Sequence, residues 1–326
     1  MNQIISKINE LYDTNIISSE RVKKGFLTEN FILSDGQTRY FLKKYRSNNL
    51  ERINEIHEVK RYFANGAIPV VLPKSLSDGK TSFEYDGAYF ALFPFVEGKH
   101  IEKNDINESA INSLGKMLGK IHLAGKESRL KVNKYFNIED KDETLKRIDE
   151  ILCKIAEITI KNDFDNIAIE NLQLKKELIS KNTLKISDLT WKSDHLIHGD
   201  YHEQNVFFDD EDEVKWVFDF EKTIYAPRTF ELFRSMSILF MTQDINRRGL
   251  DNAKKYLKAY ESIYPISEDE IRLGLQLYFV KLFHGIWVET EHYINGNTRI
   301  DHFIFNDFYR LNYLTQNLDL FTNNML

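Results

Sequence analysis

Hydrophobic positions along the chain fall into three regimes. Around residues 30–45 and again around 82–96, short runs rich in Phe, Tyr and β-branched residues are broken by Ser34-Asp35-Gly36 and Tyr85-Asp86-Gly87, the pattern of hairpin strands. Between them, residues 49–65 lack Gly and Pro, carry Ile53, Ile56, Val59, Tyr62 and Phe63 at helical spacing, and stop at Asn65-Gly66. After Glu97-Gly98 the period changes. Leu114, Met117, Leu118, Ile121 and His122 make one buried helix face, and Leu145, Ile148, Ile151, Leu152 and Ile155 make another within a mostly helical stretch over 140–185. A β interlude follows over 196–220, where 206–208 and 214–218 are expected to pair as a hairpin across the acidic turn 209–213. From Glu231 onward the pattern is helical and aromatic, with Tyr278, Phe279, Phe283 and Trp287 expected mainly in the core. Strands are segregated from helices rather than alternating with them, which predicts an α+β fold: residues 1–96 as a small sheet with one helix, and 97–326 as a larger helical region.

Composition narrows the function classes. The 326 residues are 42% hydrophobic and 29% charged, enough for a sizeable core. With 44 basic against 50 acidic residues the net charge is -6, which disfavours a nucleic-acid partner. Cys153 is the one cysteine, so an intramolecular disulfide is excluded and a metal site would rest on His and carboxylates. Lys7 follows after only two isoleucines, and no uncharged run approaches the ~18–20 residues that span a bilayer as a helix. A cytoplasmic protein without a membrane partner is expected.

Chemistry concentrates in His198-Gly199-Asp200-Tyr201-His202-Glu203-Gln204-Asn205 and in Asp219-Phe220-Glu221, both set among apolar β-type residues. Burying such groups is costly unless a metal or a strong hydrogen-bond network compensates. The spacing H-x-D-x-x-x-x-N, with D-F some 14 residues further on, is similar to the catalytic and metal-binding loops of protein kinases. There the first Asp accepts the hydroxyl proton, while the Asn and the second Asp hold Mg²⁺, a hard cation served by few protein oxygens because it keeps its waters.

The full H-G-D-x-H-x-x-N signature and the D-F-E that follows resemble the aminoglycoside phosphotransferase and choline kinase-like family. Phe93-Pro94-Phe95-Val96-Glu97-Gly98 is similar to that family's hinge, and the helix over 114–122 to the one after it; the resemblance runs over about residues 20–240. It implies a bilobal protein kinase-like fold, with a β-rich N-lobe and a mostly helical C-lobe. The implied function is ATP- and Mg²⁺-dependent transfer of phosphoryl to a small-molecule hydroxyl, with GTP as the alternative nucleotide. It further implies Asp200 as the proton acceptor, Asn205 and Asp219 as metal ligands, and Lys43 on the nucleotide phosphates. Glu55 would hold Lys43, with Glu58 as the alternative. Phe95 and Val96 would meet the adenine edge, and Thr28 the phosphates, although only Gly25 stands where the family's phosphate loop has two glycines. His198, His202, Glu221 and Glu231 are candidates for supporting or substrate roles.

Residues 1–96 hold 13 basic against 11 acidic side chains and the remainder 31 against 39, which leans toward a cationic alcohol such as an aminoglycoside, choline or an amino-alcohol, with homoserine and a sugar also open as acceptors. Three other readings compete. An H-x-D-x-H metallohydrolase site leaves Asn205 and Asp219 unexplained. A protein kinase is disfavoured by Glu221 in place of Gly and by the missing A-P-E. A kinase-fold binding or structural protein without turnover, of the spore-coat kind, is favoured only by the reduced glycine loop.

Overall fold

The computed structural model describes residues 2–22, 29–182, 192–241 and 247–326. Its elements, in chain order, are α1 Asn2–Tyr12, β1 Ser18–Arg21, β2 Phe31–Ser34, β3 Arg39–Lys44, α2 Leu50–Asn65, β4 Phe83–Tyr85, β5 Ala88–Pro94, α3 Glu108–Lys126, α4 Lys141–Ala156, α5 Asp163–Lys181, β6 His195–Ile197, β7 Val206–Phe208, β8 Val214–Val217, β9 Ile224–Ala226, α6 Arg228–Phe240, α7 Arg247–Glu261, α8 Glu268–His284, α9 Trp287–Tyr293 and α10 Phe303–Met325. The architecture is α+β, as the segregation of strands from helices predicts.

Contacts divide the chain into two compact units. The first combines Met1–Glu102 with Ser128–Asn133 and His198–Thr223; the second combines Lys103–Glu127, Lys134–Ile197 and Ile224–Leu326. This partition differs from a single break after residue 96, because the segment bearing the H-G-D and D-F-E motifs counts with the sheet.

In the first unit an antiparallel sheet of order β1-β2-β3-β5-β4 separates two cores. Alternation along β3 decides which side chain meets which. Tyr40 and Leu42 join Ile4, Ile8 and Tyr12 of α1, while Phe41 turns to the face where Tyr45, Ile53, Ala91 and Phe93 cluster. Lys43, two residues from Phe41 and paired with Ala91, therefore lies on the face of α2. Helix α2 starts where the Asn49 side chain accepts from the Arg52 N–H at 3.1 Å and stops at Gly66, as its sequence signals require. The hairpin β7–β8 closes across the acidic turn, where Asp209 Oδ1 accepts from the N–H groups of Glu211 and Glu213. Helix α1 and strand β1 lie outside the predicted elements; α1 is short, and β1 is largely exposed and reads as polar.

The second unit is helical around the small β6–β9 ribbon. Leu114, Leu118, Ile121 and His122 are buried on α3 as predicted. Gly115 lets α3 approach α7, since a Cβ there would lie 2.5 Å from the Tyr256 carbonyl oxygen. Tyr278 and Phe283 are buried, whereas Trp287 is 47% exposed against Phe303. Among the described residues, no helix is long and apolar enough to cross a membrane.

Candidate active site

Among the described residues, the charged groups at the polar centre of the first unit come from β3, α2, the 198–205 loop and the 219–223 turn. Lys43 extends from β3, ion-paired with Glu221 and 3.4 Å from Asp219 Oδ1. Glu55 is not its partner, which corrects the sequence expectation. The Glu55 carboxylate pairs with Arg52 and accepts from the Asn133 N–H, and Glu58 pairs with exposed Arg61. The reason is helical phase. His57 and Lys60 occupy the α2 face toward Tyr45 and Phe93, and Glu55 is rotated about 200° from His57 at 100° per residue. Arg52, oriented by Glu55, instead donates to the carbonyls of Glu221 (2.8 Å) and Thr223 (3.1 Å). Helix α2 thus holds the turn by its backbone, and the turn's own Glu221 holds Lys43.

The 198–205 loop is locked to the same turn. His198 is fully buried, and its Nε2–H donates to the Phe218 carbonyl at 2.6 Å while Nδ1 accepts the Asp200 N–H at 3.2 Å, so its two partners select one tautomer. Gly199 takes φ +84°, and a Cβ there would overlap the Lys222 carbonyl, so the signature's glycine is needed for backbone approach. Asp200 Oδ2 lies 3.0 Å from Lys222 Nζ and 3.9 Å from His202 Nε2. The Asn205 amino group donates to the Asp200 carbonyl at 2.8 Å and also lies 3.2 Å from His202 Nε2. The bond to a carbonyl fixes the amide's orientation, and among the described residues Asn205 Oδ1 has no partner. Asp219 sits in the left-handed region at φ +60° with its side chain 47% exposed. A non-glycine residue there is strained, and such strain is concentrated at functional sites.

Behind Lys43 lies a second buried lysine. Lys60 is 5% exposed, with Nζ 4.6 Å from the centre of the Phe93 ring. Burial and then the Lys43 charge push its pKa down to about 7, against the pull of Glu221. Burial opposes the charge of Lys43 too, but Glu221 outweighs it and raises the pKa. Glu221 is driven down to about 2 because Lys43 and Lys60 together overcome its own burial. Neighbouring His57, hydrogen-bonded to Tyr45 and Thr81 at 2.6 Å each, is pushed to about 3 by burial and then by Lys60. A lysine whose folded pKa is lowered subtracts stability fully below the folded value, and less as pH rises toward its ordinary 10.5. Lys60→Met is therefore expected to stabilise the protein by on the order of a few kcal/mol at pH 6 and by much less at pH 9.5. Melting curves at both values test this; an equal gain at both would contradict it.

The remaining expected residues are distributed as follows. The Phe95 N–H is committed to the Arg39 carbonyl and its ring to the Arg39 guanidinium, whereas the backbone groups of Val96 meet no partner among the described residues. Thr28 lies outside the described residues. Glu231 belongs to the helical unit, fully buried and 2.9 Å from His122 Nε2, as a core network residue. Sequence reasoning missed Arg52, Lys60 and Lys222. Lys60 alone left a trace, as a charge on the apolar stripe between Ile56 and Phe63.

The oxygens of Asn205 and Asp219 fit a small hard cation that keeps most of its waters, since one is a neutral and the other an anionic oxygen donor. Among the described residues, no group of three or more His, Cys, Asp or Glu forms a metal cage.

Comparison with known proteins accords with this geometry. Homoserine kinase of Methylobacillus glycogenes is 23% identical over 266 residues, covering 81% of this chain and 74% of that one. Stress response kinase A of Escherichia coli (strain K12) is 30% identical over 95 residues, 28% of either chain. Among solved structures, a microcompartment-associated aminopropanol kinase matches with TM-score 0.68 at 12% identity over 100% of this chain and 99% of its own. An amicoumacin kinase in complex with AMP-PNP, Ca²⁺ and Ami matches with TM-score 0.65 at 16% identity, over 95% of this chain and 92% of its own. At such identities the structural likenesses show the fold. The model of the phosphotransferase enzyme family matches residues 18–266, from the start of β1 past the end of α7. Because that span takes in both the H-G-D and the D-F-E loops and three-quarters of the sequence, the chain belongs to the phosphotransferase enzyme family.

Proposed function

We propose that the protein transfers the γ-phosphoryl group of ATP directly to a hydroxyl of a small amino-alcohol. The observation that carries this reading is that one unit gathers a carboxylate held by the signature loop, an amide oxygen without a partner, a half-exposed second carboxylate and a lysine positioned by an acid. Asp200 orients the acceptor hydroxyl and takes its proton as the oxygen attacks. Asn205 Oδ1 and Asp219 would hold Mg²⁺, which when bound neutralises charge on the nucleotide phosphates. Lys43, freed from Glu221 or shared with it, would meet the same phosphates, and the Val96 backbone would meet the base. Catalysis in this scheme is positioning and electrostatic stabilisation.

The acceptor class rests on chemistry shared by two of the similar proteins, whose names point to homoserine and aminopropanol, each a hydroxyl near an ammonium group. The excess of acidic residues beyond position 96 supports a cationic acceptor. The test is ADP release with Mg²⁺-ATP, and then Mg²⁺-GTP, across amino-alcohols, homoserine, choline, aminoglycosides and sugars. Release that depends on an amino-alcohol is the expected result. Nucleotide binding without release on any acceptor would favour a binding protein instead.

A further inference from the structure

Lys222 is not one of the signature residues, yet its ammonium lies 3.0 Å from the carboxylate on which the proposed transfer depends. We propose that Lys222 is the cation on the acceptor side of the transferring phosphoryl group, complementing Lys43 on the nucleotide side. The inference rests on the kinase reading above and extends it to a residue that reading does not use.

Three observations carry it. First, the backbone of Lys222 is fixed from both sides. Arg52 grips the carbonyls of Glu221 and Thr223, Gly199 packs against the carbonyl of Lys222 itself, and the Thr223 hydroxyl lies 3.4 Å from the His198 carbonyl. Second, its side chain is 61% exposed, whereas Asp200 is 15% exposed. With the ammonium largely in water the pair contributes little to folding, so stability does not account for it. A clamped backbone carrying an exposed charged tip suits a group that must leave a carboxylate and meet a ligand. Third, the charges favour it. Asp200, Asp219 and Glu221 present three carboxylates to an incoming polyphosphate, and Lys43 is committed to the latter two. With Lys43 and the proposed Mg²⁺ serving the nucleotide side, a cation beside Asp200 offsets the repulsion between that carboxylate and an approaching γ-phosphoryl group.

In the step itself the acceptor oxygen forms a bond to the γ-phosphorus as the bond from that phosphorus to the β,γ-bridging oxygen breaks. The electron pair leaves with ADP, and the hydroxyl proton passes to Asp200. As Asp200 takes that proton its hold on Lys222 weakens, so the ammonium can follow the charge onto the equatorial phosphoryl oxygens.

The experiment compares wild type, Lys222→Met and Lys222→Arg for binding of Mg²⁺-ADP alone and of Mg²⁺-ADP with aluminium fluoride, a planar stand-in for the transferring phosphoryl, and for turnover with the acceptor. For Lys222→Met the expected result is ADP affinity within about twofold of wild type, fluoride-complex affinity weakened at least about 10-fold, and kcat lowered by a similar factor or more with KM for ATP little changed. Lys222→Arg should recover part of both losses. Unchanged fluoride-complex affinity in Lys222→Met would overturn the proposal, as would an equal loss for ADP alone, which would make Lys222 a ground-state ligand. Wild-type protein that binds neither complex would instead remove the kinase reading, and this proposal with it.

Discussion

Asp200→Asn is expected to lower turnover by ~100-fold or more while nucleotide affinity and thermal midpoint stay near those of wild type. The amide preserves the shape of the carboxylate beside Lys222 and His202 but cannot take a proton from the acceptor. Removing a negative charge near the incoming phosphates should, if anything, tighten Mg²⁺-ATP binding. Initial rates at saturating acceptor, paired with a nucleotide titration and a melting curve, separate these effects. Turnover within about threefold of wild type would remove Asp200 from the chemistry.

Gly199→Ala carries the second large effect, and it acts through the backbone. A methyl group at φ +84° must escape both a left-handed conformation, which costs ~1–2 kcal/mol, and the carbonyl of Lys222. The expected outcome is a stability loss of about 2–4 kcal/mol in urea unfolding, with turnover close to abolished because the loop bearing Asp200 and the turn bearing Asp219 are forced apart. The comparison variant Gly87→Ala also places a side chain at positive φ, +69°, but its Cβ would meet nothing within 4 Å. It should therefore cost only the conformational part. Equal losses for the two variants would show that the interlocking of the loops contributes nothing.

Much of this arrangement was legible in the sequence because it is local. The two N-terminal hairpins, helix α2 and the β7–β8 hairpin announce themselves through period, turn residues and caps. Asp200, Asn205 and Asp219 stand in motifs whose spacing survives folding intact. What sequence could not supply was the choice of partner across long separations. Glu221 is 178 residues from Lys43 and Arg52 is 169 from the Glu221 carbonyl it holds, distances over which periodicity carries no information. The expectation for Glu55 failed because several acids on one helix differ only by phase, and the deciding face was set by the packing of His57 and Lys60 against β3 and β5. Helix α1 escaped notice because its apolar positions find their partners, Leu33, Leu42 and Phe90, only once the sheet exists.

The discontinuity of the first unit bears on how the chain is made. Val217 donates to the Pro69 carbonyl at 2.8 Å, Lys99 and Phe208 exchange two backbone hydrogen bonds at 2.9 Å, and Phe63 packs on Phe220 with ring centres 5.5 Å apart. None of these contacts can form until residues 208–220 have been synthesised. A nascent chain of the first hundred residues therefore lacks the partners of Phe63 on α2 and of the Pro69 carbonyl, and its Lys43 lacks both of its acids. Closing a loop of this length is slow and entropically costly, so completion of the unit is a late event, coupled to synthesis of the intervening helices. During translation, the ribosome thus holds back the site's full set of charges until most of the protein exists.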